Sequence, residues 1–307
     1  MRPPDPRLGS FFDLSARTKL CLTGGDRVRF VNGQITNDVR KATDSTAIAA
    51  CILNARGRMN GHIFVSLSGD AIMIDTDSKL REHLLQRIDR YIIADDVQVE
   101  DVTDKFALFH LLGGTAPNSL GRIVSVNRFG QTGFDVWADA APHNDLSQQL
   151  QGMTAFCSDS CAEVFRIEQG IPRWGRELTE EILPAEANLE ESCIDYEKGC
   201  YIGQEVVSRM KMSGQRNKAL CGLIAIEDAS LEPGMKLYPM EAEKKEIGWI
   251  TSATRSDRLG RQIALGYVKR GFNESGAQLA APDAKSLAGS PLGRVEVVNV
   301  PFAMGSK

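Results

Sequence analysis

From Ile63 to Leu67 the apolar side chains Ile63, Val65 and Leu67 alternate with Phe64 and Ser66, the two-residue period of a strand with one better buried face. Residues 71–76 continue the pattern after Gly69-Asp70, which predicts a hairpin turn. Further apolar runs predict strands over 20–23, 47–53, 97–102, 106–112, 122–126 and 133–138. Between them Leu80, Leu84, Leu85 and Ile88 form one stripe with Arg81, Glu82 and Arg87 off it, so 78–91 is expected to be helical. Strands with one or two helices in this order imply an α+β unit built on an antiparallel sheet.

Asp26 is placed to cap a short helix that stops near Gly33, and Ser158 to cap one that ends near Gly170, with Pro172 barring its return. Residues 171–198 form an irregular stretch rich in Pro, Glu and Asn; loops of that length in folded proteins are usually functional. A short helix is expected directly after Gly199, since Ile202, Val206 and Met210 recur every fourth residue. Beyond 219, short apolar runs divided by Pro233-Gly234, Arg258-Leu259-Gly260 and a turn over 273–276 predict a small all-β domain of barrel type.

At 307 residues the chain is long for one core, and two or three domains are expected. Its net charge of -4 gives no reason to expect nucleic acid or an anionic membrane as partner, and no apolar run is long enough to span a bilayer. The start lacks the apolar core of a secretory signal, so the expected location is the cytoplasm. Cysteines stand at 21, 51, 157, 161, 193, 200 and 221, an odd and irregular set that makes a poor disulfide framework. With no CxxC pair, and with His62, His83, His110 and His143 in no ligand-like spacing, no metal site is expected. Six of the thiols read as small buried hydrophobes.

The seventh, Cys200, lies in the most informative segment, Lys198-Gly199-Cys200-Tyr201-Ile202-Gly203-Gln204-Glu205. From Lys198 to Lys218 five basic residues face one acid, a local reversal of the overall charge. It suits a ligand bearing carboxylates or phosphates, or else a solvated basic loop. Cys200 before a helix start and two residues from Lys198 is expected to be a reactive thiol, because both neighbours favour the thiolate; a buried structural thiol between turn glycines is the alternative. Gly199 and Gly203 would let the backbone approach a ligand closely.

KGCYIGQE closely resembles the signature of the YgfZ family, folate-binding relatives of the glycine-cleavage T-protein that support iron–sulfur enzymes. Three further segments resemble that family in the same order: Gly33-Gln34-Ile35-Thr36-Asn37-Asp38, Leu53-Asn54-Ala55-Arg56-Gly57-Arg58 and Gly248-Trp249-Ile250-Thr251-Ser252-Ala253. A fourth, Arg166-Ile167-Glu168-Gln169-Gly170, resembles an R-x-E-x-G segment shared with the T-protein. The resemblance implies an α+β, T-protein-like ring of three domains: a central folate-binding domain from 1–48 plus 158–215, an inserted ferredoxin-like domain over 49–157 and a C-terminal antiparallel β-barrel over 216–307.

It also implies tetrahydrofolate as cofactor, with Glu168 accepting from the pterin and Trp174 stacking on it. Lys198 and Cys200 would carry the thiol chemistry, and Tyr201 and Gln204 would line the folate site. Arg209 would meet the folate tail carboxylates with Lys211 or Arg216, against the plainer reading of an ordinary helical pair with Glu205. Where the T-protein uses an aspartate this chain has Arg58-Met59-Asn60-Gly61-His62, and without that carboxylate glycine cleavage is not expected. The implied function is support of iron–sulfur cluster assembly or repair in client enzymes such as tRNA-modifying radical enzymes. The alternative is a folate-dependent one-carbon transferase or demethylase. No cluster of its own is expected, since Cys200 lacks companions at cluster spacing.

Overall fold

The computed structural model describes residues 5–113, 118–141, 143–227, 229–240, 245–281 and 293–303. It divides into two compact units, the first Met1–Ala162 with Leu189–Arg209 and the second Glu163–Asn188 with Met210–Lys307.

The first unit holds two five-stranded sheets. Its strands are β1 (Ser10–Asp13), β2 (Thr18–Thr23), β3 (Ile48–Leu53), β4 (Met59–Ser68), β5 (Ala71–Thr76), β6 (Gln98–Asp101), β7 (Phe106–Leu112), β8 (Arg122–Asn127), β9 (Thr132–Asp139) and β10 (Ala155–Phe156). One sheet runs β3-β4-β5-β2-β6 and is antiparallel throughout, so strands from both sides of residue 48 share it. The other runs β10-β1-β7-β9-β8, with only the β1–β10 pair parallel. The Gly69-Asp70 turn closes the β4–β5 hairpin as expected, with Ser68 opposite Ala71.

Helix α1 (Arg27–Gln34) follows Asp26, whose carboxylate does not cap it but takes the Asp96 N–H at 2.9 Å. Helix α2 (Arg81–Tyr91) buries Leu84 and Ile88, and a 3-10 turn capped by Asp77 leads into it. Helix α3 (His143–Gln151), which the sequence pattern did not announce, buries Leu146 and Leu150 against Phe11 and Phe109.

A buried ionic network ties the two sheets together. Arg128 donates to Asp135 of β9 at 2.5 Å and to Asp75 of β5 at 2.6 Å, its guanidinium lies 4.1 Å from the Phe64 ring centre, and His110 Nδ1 sits 2.8 Å from Asp135. Burial alone would raise the Asp135 carboxyl, but Arg128 and the His110 hydrogen bond overcome it and hold it at about 2.

The second unit is dominated by a closed antiparallel barrel. Its strands β11 (Lys218–Ile226), β12 (Lys236–Pro239), β13 (Gly248–Ser256), β14 (Arg261–Lys269), β15 (Gln278–Ala280) and β16 (Arg294–Val298) run in the order β11-β14-β13-β12-β15-β16. β11 pairs with both β14 and β16, which closes the ring and removes exposed edges. Leu223, Leu237, Ile250, Val268, Val295 and Val297 fill it. Helix α4 (Asp159–Gln169) starts where Ser158 was expected to cap it, its Oγ accepting the Cys161 N–H at 3.4 Å.

The stretch over 171–198 is less irregular than its composition suggests, for it contains a 3-10 turn (Pro184–Ala187) and helix α5 (Glu190–Cys193). Helix α6 (Gln204–Ser213) begins four residues after Cys200 rather than directly after Gly199. No helix among the described residues is long and apolar enough to cross a membrane.

Replacing Arg128 with Met should cost about 3–5 kcal/mol at pH 7, because buried Asp135 loses its guanidinium and buried Asp75 keeps only Arg17. Urea denaturation measures it, and a loss below about 1 kcal/mol would contradict the network's role. Asp135 sits below the ordinary carboxylate pKa of about 4, so its stabilisation is complete above that pH and is lost as pH falls through about 2.

Candidate functional site

In the first unit, three of the segments singled out by sequence meet. Lys198 is 5% exposed, and its ammonium donates to the carbonyls of Asn32 at 2.6 Å, Ile35 at 2.7 Å and Asn37 at 2.9 Å. These carbonyls lie at and just beyond the end of α1, where backbone acceptors have no partner within the helix and a cation is favoured. Burial draws the Lys198 ammonium down to about 8, against the opposing pull of Asp38 and Asp195. Ile202 N–H donates to Gly33 O at 3.3 Å and Asp195 N–H to Thr36 O at 3.0 Å, so the strap over 195–202 is laced along 32–37.

The third segment enters through two glycines. Gly203 has φ +86°, and a Cβ there would lie 2.6 Å from Asn54 O. Gly57 has φ +72°, and its Cβ would lie 2.9 Å from the Val206 side chain. The glycine at 203 therefore serves close packing of chain on chain, not the approach of a ligand. A Cβ at Gly199 would meet nothing within 4 Å.

On this scaffold the predicted site residues separate. Cys200 is exposed, unlike the buried structural thiol of the alternative reading, but it does not sit at a helix start. The Lys198 ammonium, expected to support that thiol, is engaged by the three carbonyls. Its Nζ also lies 5.1 Å from the Tyr201 ring centre. Tyr201 is 7% exposed, and among the described residues its hydroxyl has no hydrogen-bond partner; burial raises it to about 12. Gln204 is half-buried as the first residue of α6. Arg209 pairs with Glu205 at 2.6 Å on the surface, the ordinary helical pair.

The second unit holds Glu168 and Trp174. Glu168 is not a surface residue at a helix end: it is 4% exposed, accepts from the Ser256 hydroxyl at 2.5 Å and from Arg258 Nε at 3.1 Å, and its carbonyl takes the Phe302 N–H. Trp174 is half-buried in a tight loop closed by Gly175 N–H to Leu178 O at 2.8 Å. The residue that sequence reasoning missed is Glu177, fully buried. It accepts from Arg166 at 3.0 Å, the Arg173 N–H at 3.0 Å, Thr251 at 2.8 Å and Ser252 at 2.6 Å. Its signal was the pairing of the R-x-E-x-G segment, which supplies Arg166, with the Gly248 to Ala253 segment, which supplies two hydroxyls.

Residues 9–138 match the model of the GCVT N-terminal domain, and residues 218–302 that of the Glycine cleavage T-protein C-terminal barrel domain. An aminomethyltransferase of Staphylococcus haemolyticus is 22% identical over 87% of this chain and 81% of its own length. One from Rubrobacter xylanophilus is 25% identical over 84% of this chain and 75% of its own. The crystal structure of glycine cleavage system aminomethyltransferase T from Bartonella henselae matches with a TM-score of 0.82 at 17% identity, covering 96% of this chain and 86% of that one. A likeness at that identity establishes the fold alone.

Replacing Lys198 with Met orphans three buried or half-buried carbonyls and should cost about 3 kcal/mol or more, read as a lowered thermal midpoint. Cys200→Ser should stay within about 0.5 kcal/mol of wild type. Equal effects of the two would refute the division between anchor and exposed thiol. Gly203→Ala should lose more than about 2 kcal/mol through the positive φ and the Asn54 clash, and an unchanged midpoint would contradict the interlock.

Proposed function

We propose that this chain, a member of the T-protein-like family through both matched domains, binds tetrahydrofolate and acts as a one-carbon transferase of aminomethyltransferase type. The observation that carries the reading is the Tyr201 hydroxyl, buried without a partner among the described residues inside the KGCYIGQE segment. Such a group costs about 1–3 kcal/mol unless something accepts from it or donates to it, and a polar ligand would do so. In the second unit, taken by itself, Trp174 offers a half-exposed aromatic face of the kind that stacks on a flat heterocycle. Glu168 supports the reading less, since pterin donors would have to displace Ser256 and Arg258 from its carboxylate.

When bound, the folate supplies the amine that takes up a one-carbon unit. The first unit's own residues would bind and orient it, Tyr201 by one hydrogen bond and Gln204 by its amide. Glycine cleavage itself is not part of the proposal, because Asn60 stands in a segment where the T-protein has a carboxylate. An uncharged amide cannot stabilise a developing cation in the same way.

A second reading, support of iron–sulfur cluster assembly or repair in client enzymes, is favoured by one observation: Cys200 is exposed within the segment that resembles the YgfZ signature. A thiol in that position is available to a partner protein or a transferred cluster. Under this reading folate is still bound, and Cys200 carries the activity.

Calorimetric titration should give tetrahydrofolate binding to the wild type, weakened about five- to tenfold by Tyr201→Phe, the worth of one hydrogen bond. Absence of binding would refute both readings. Formation of methylene-tetrahydrofolate from a panel of one-carbon-bearing amines supports the transferase. Iron–sulfur enzyme activity restored to a deletion strain by the wild type but not by Cys200→Ala supports the second reading instead.

A further inference from the structure

Two of the cysteines read from sequence as inert hydrophobes do not have apolar surroundings. Cys193, the last residue of α5, and Cys51, in the middle of β3, are both 0% exposed, and each thiol lies close enough to shift the other's ionisation. His62 of β4 brings its Nε2 to 3.5 Å from Cys193 Sγ, and the Ser192 hydroxyl lies 3.4 Å from the same sulfur. A single hydroxyl fixes the two backbones: Thr36 Oγ1 donates to Cys193 O at 2.6 Å and accepts from Cys51 N–H at 2.8 Å. All five residues belong to the first unit, and none is used by the proposed folate chemistry.

Charge is distributed unequally over the pair. The adjacent Cys51 thiol, then the neighbouring His62, hold the Cys193 thiol well below its ordinary range despite its burial. The adjacent Cys193, reinforced by burial, pushes Cys51 well above it. One sulfur is thus disposed to be the thiolate and the other to keep its proton, the division that a dithiol needs to react in sequence. Although both sulfurs are buried, the two side chains flanking Cys193 reach solvent: Ser192 is exposed and His62 half-buried. The helix α5 that carries Cys193 is a single short turn.

The geometry points to Cys51 and Cys193 as an oxidisable dithiol, with His62 as its proton carrier and a small hydroperoxide as its reactant. The Cys193 thiol passes its proton to His62 and attacks a peroxide oxygen; the S–O bond forms, the O–O bond breaks, and the departing hydroxide takes that proton back from His62 to leave as water. His62 then accepts the Cys51 proton, and the Cys51 thiolate attacks the Cys193 sulfenic sulfur. The S–S bond forms, the S–O bond breaks, and the second hydroxide regains that proton as water. Two thiols and one hydrogen peroxide give one disulfide and two waters. The product staples β3 to α5, the element just before the strap that carries Lys198 and Cys200.

The test is peptide mapping by mass spectrometry of the full chain treated with hydrogen peroxide, beside Cys200→Ser protein to remove the exposed competitor. The expected product is a Cys51–Cys193 disulfide, a loss of two hydrogens, in both proteins. In Cys51→Ser protein Cys193 should stop at a sulfenic acid that a dione reagent traps, and His62→Asn should slow disulfide formation about tenfold or more at neutral pH. Oxidation confined to Cys200, or a disulfide only between Cys157 and Cys161, would overturn the proposal without touching the folate reading. An unslowed His62→Asn protein would remove His62 from it. The wild-type map decides the pairing even if a variant fails to fold.

Discussion

The Lys198 ammonium, enclosed by three backbone carbonyls, is the contact on which the first unit's candidate site depends. Each carbonyl would be costly to bury alone, and the cation would be costlier still. Together they turn a helix end and a strap more than 150 residues later in the chain into one piece. Cys200 and Tyr201 take their places from that joint, one outward to solvent and one inward with its hydroxyl unmatched. A lysine that looked like an activating charge beside a thiol is an anchor, and the thiol's setting is decided by where the anchor leaves the chain.

The second unit is organised in the same way with the opposite charge. Glu177 is buried and gathers a guanidinium, two hydroxyls and a backbone N–H from α4, its own loop and β13. Glu168 binds α4 to the end of β13 through Ser256 and to Arg258 beyond it. Buried charges are tolerated only when fully paired, and both carboxylates meet that condition, Glu177 through Arg166 of α4 and Glu168 through Arg258. Their first duty is thus to hold the loop over 171–178 and α4 against the sheet.

Much of this was legible in the sequence. The two-residue period of 63–67, the Gly69-Asp70 turn, the α2 stripe and the run of short strands after 219 each gave an element of the right kind, because local period and turn chemistry agree with the tertiary burial there. The start of α6 was misplaced because Ile202 lies on the helical period while Gly203, at positive φ and packed close to Asn54, keeps the chain out of the helix until Gln204. The segments meeting at Lys198 were all recognised, but not that they meet, since nothing local records which carbonyls a distant ammonium will satisfy. The Cys51–Cys193–His62 cluster escaped for the same reason: its members lie on β3, β4 and α5, and their spacing along the chain carries no trace of their proximity.

The central claim is that the strap laced to the end of α1 faces a folate. Hydrogen–deuterium exchange of the full chain with and without saturating tetrahydrofolate tests it most directly. The account predicts slower amide exchange over 198–206 and 33–38 on addition of the folate. Unchanged exchange in both stretches, with binding confirmed in the same sample, would contradict it.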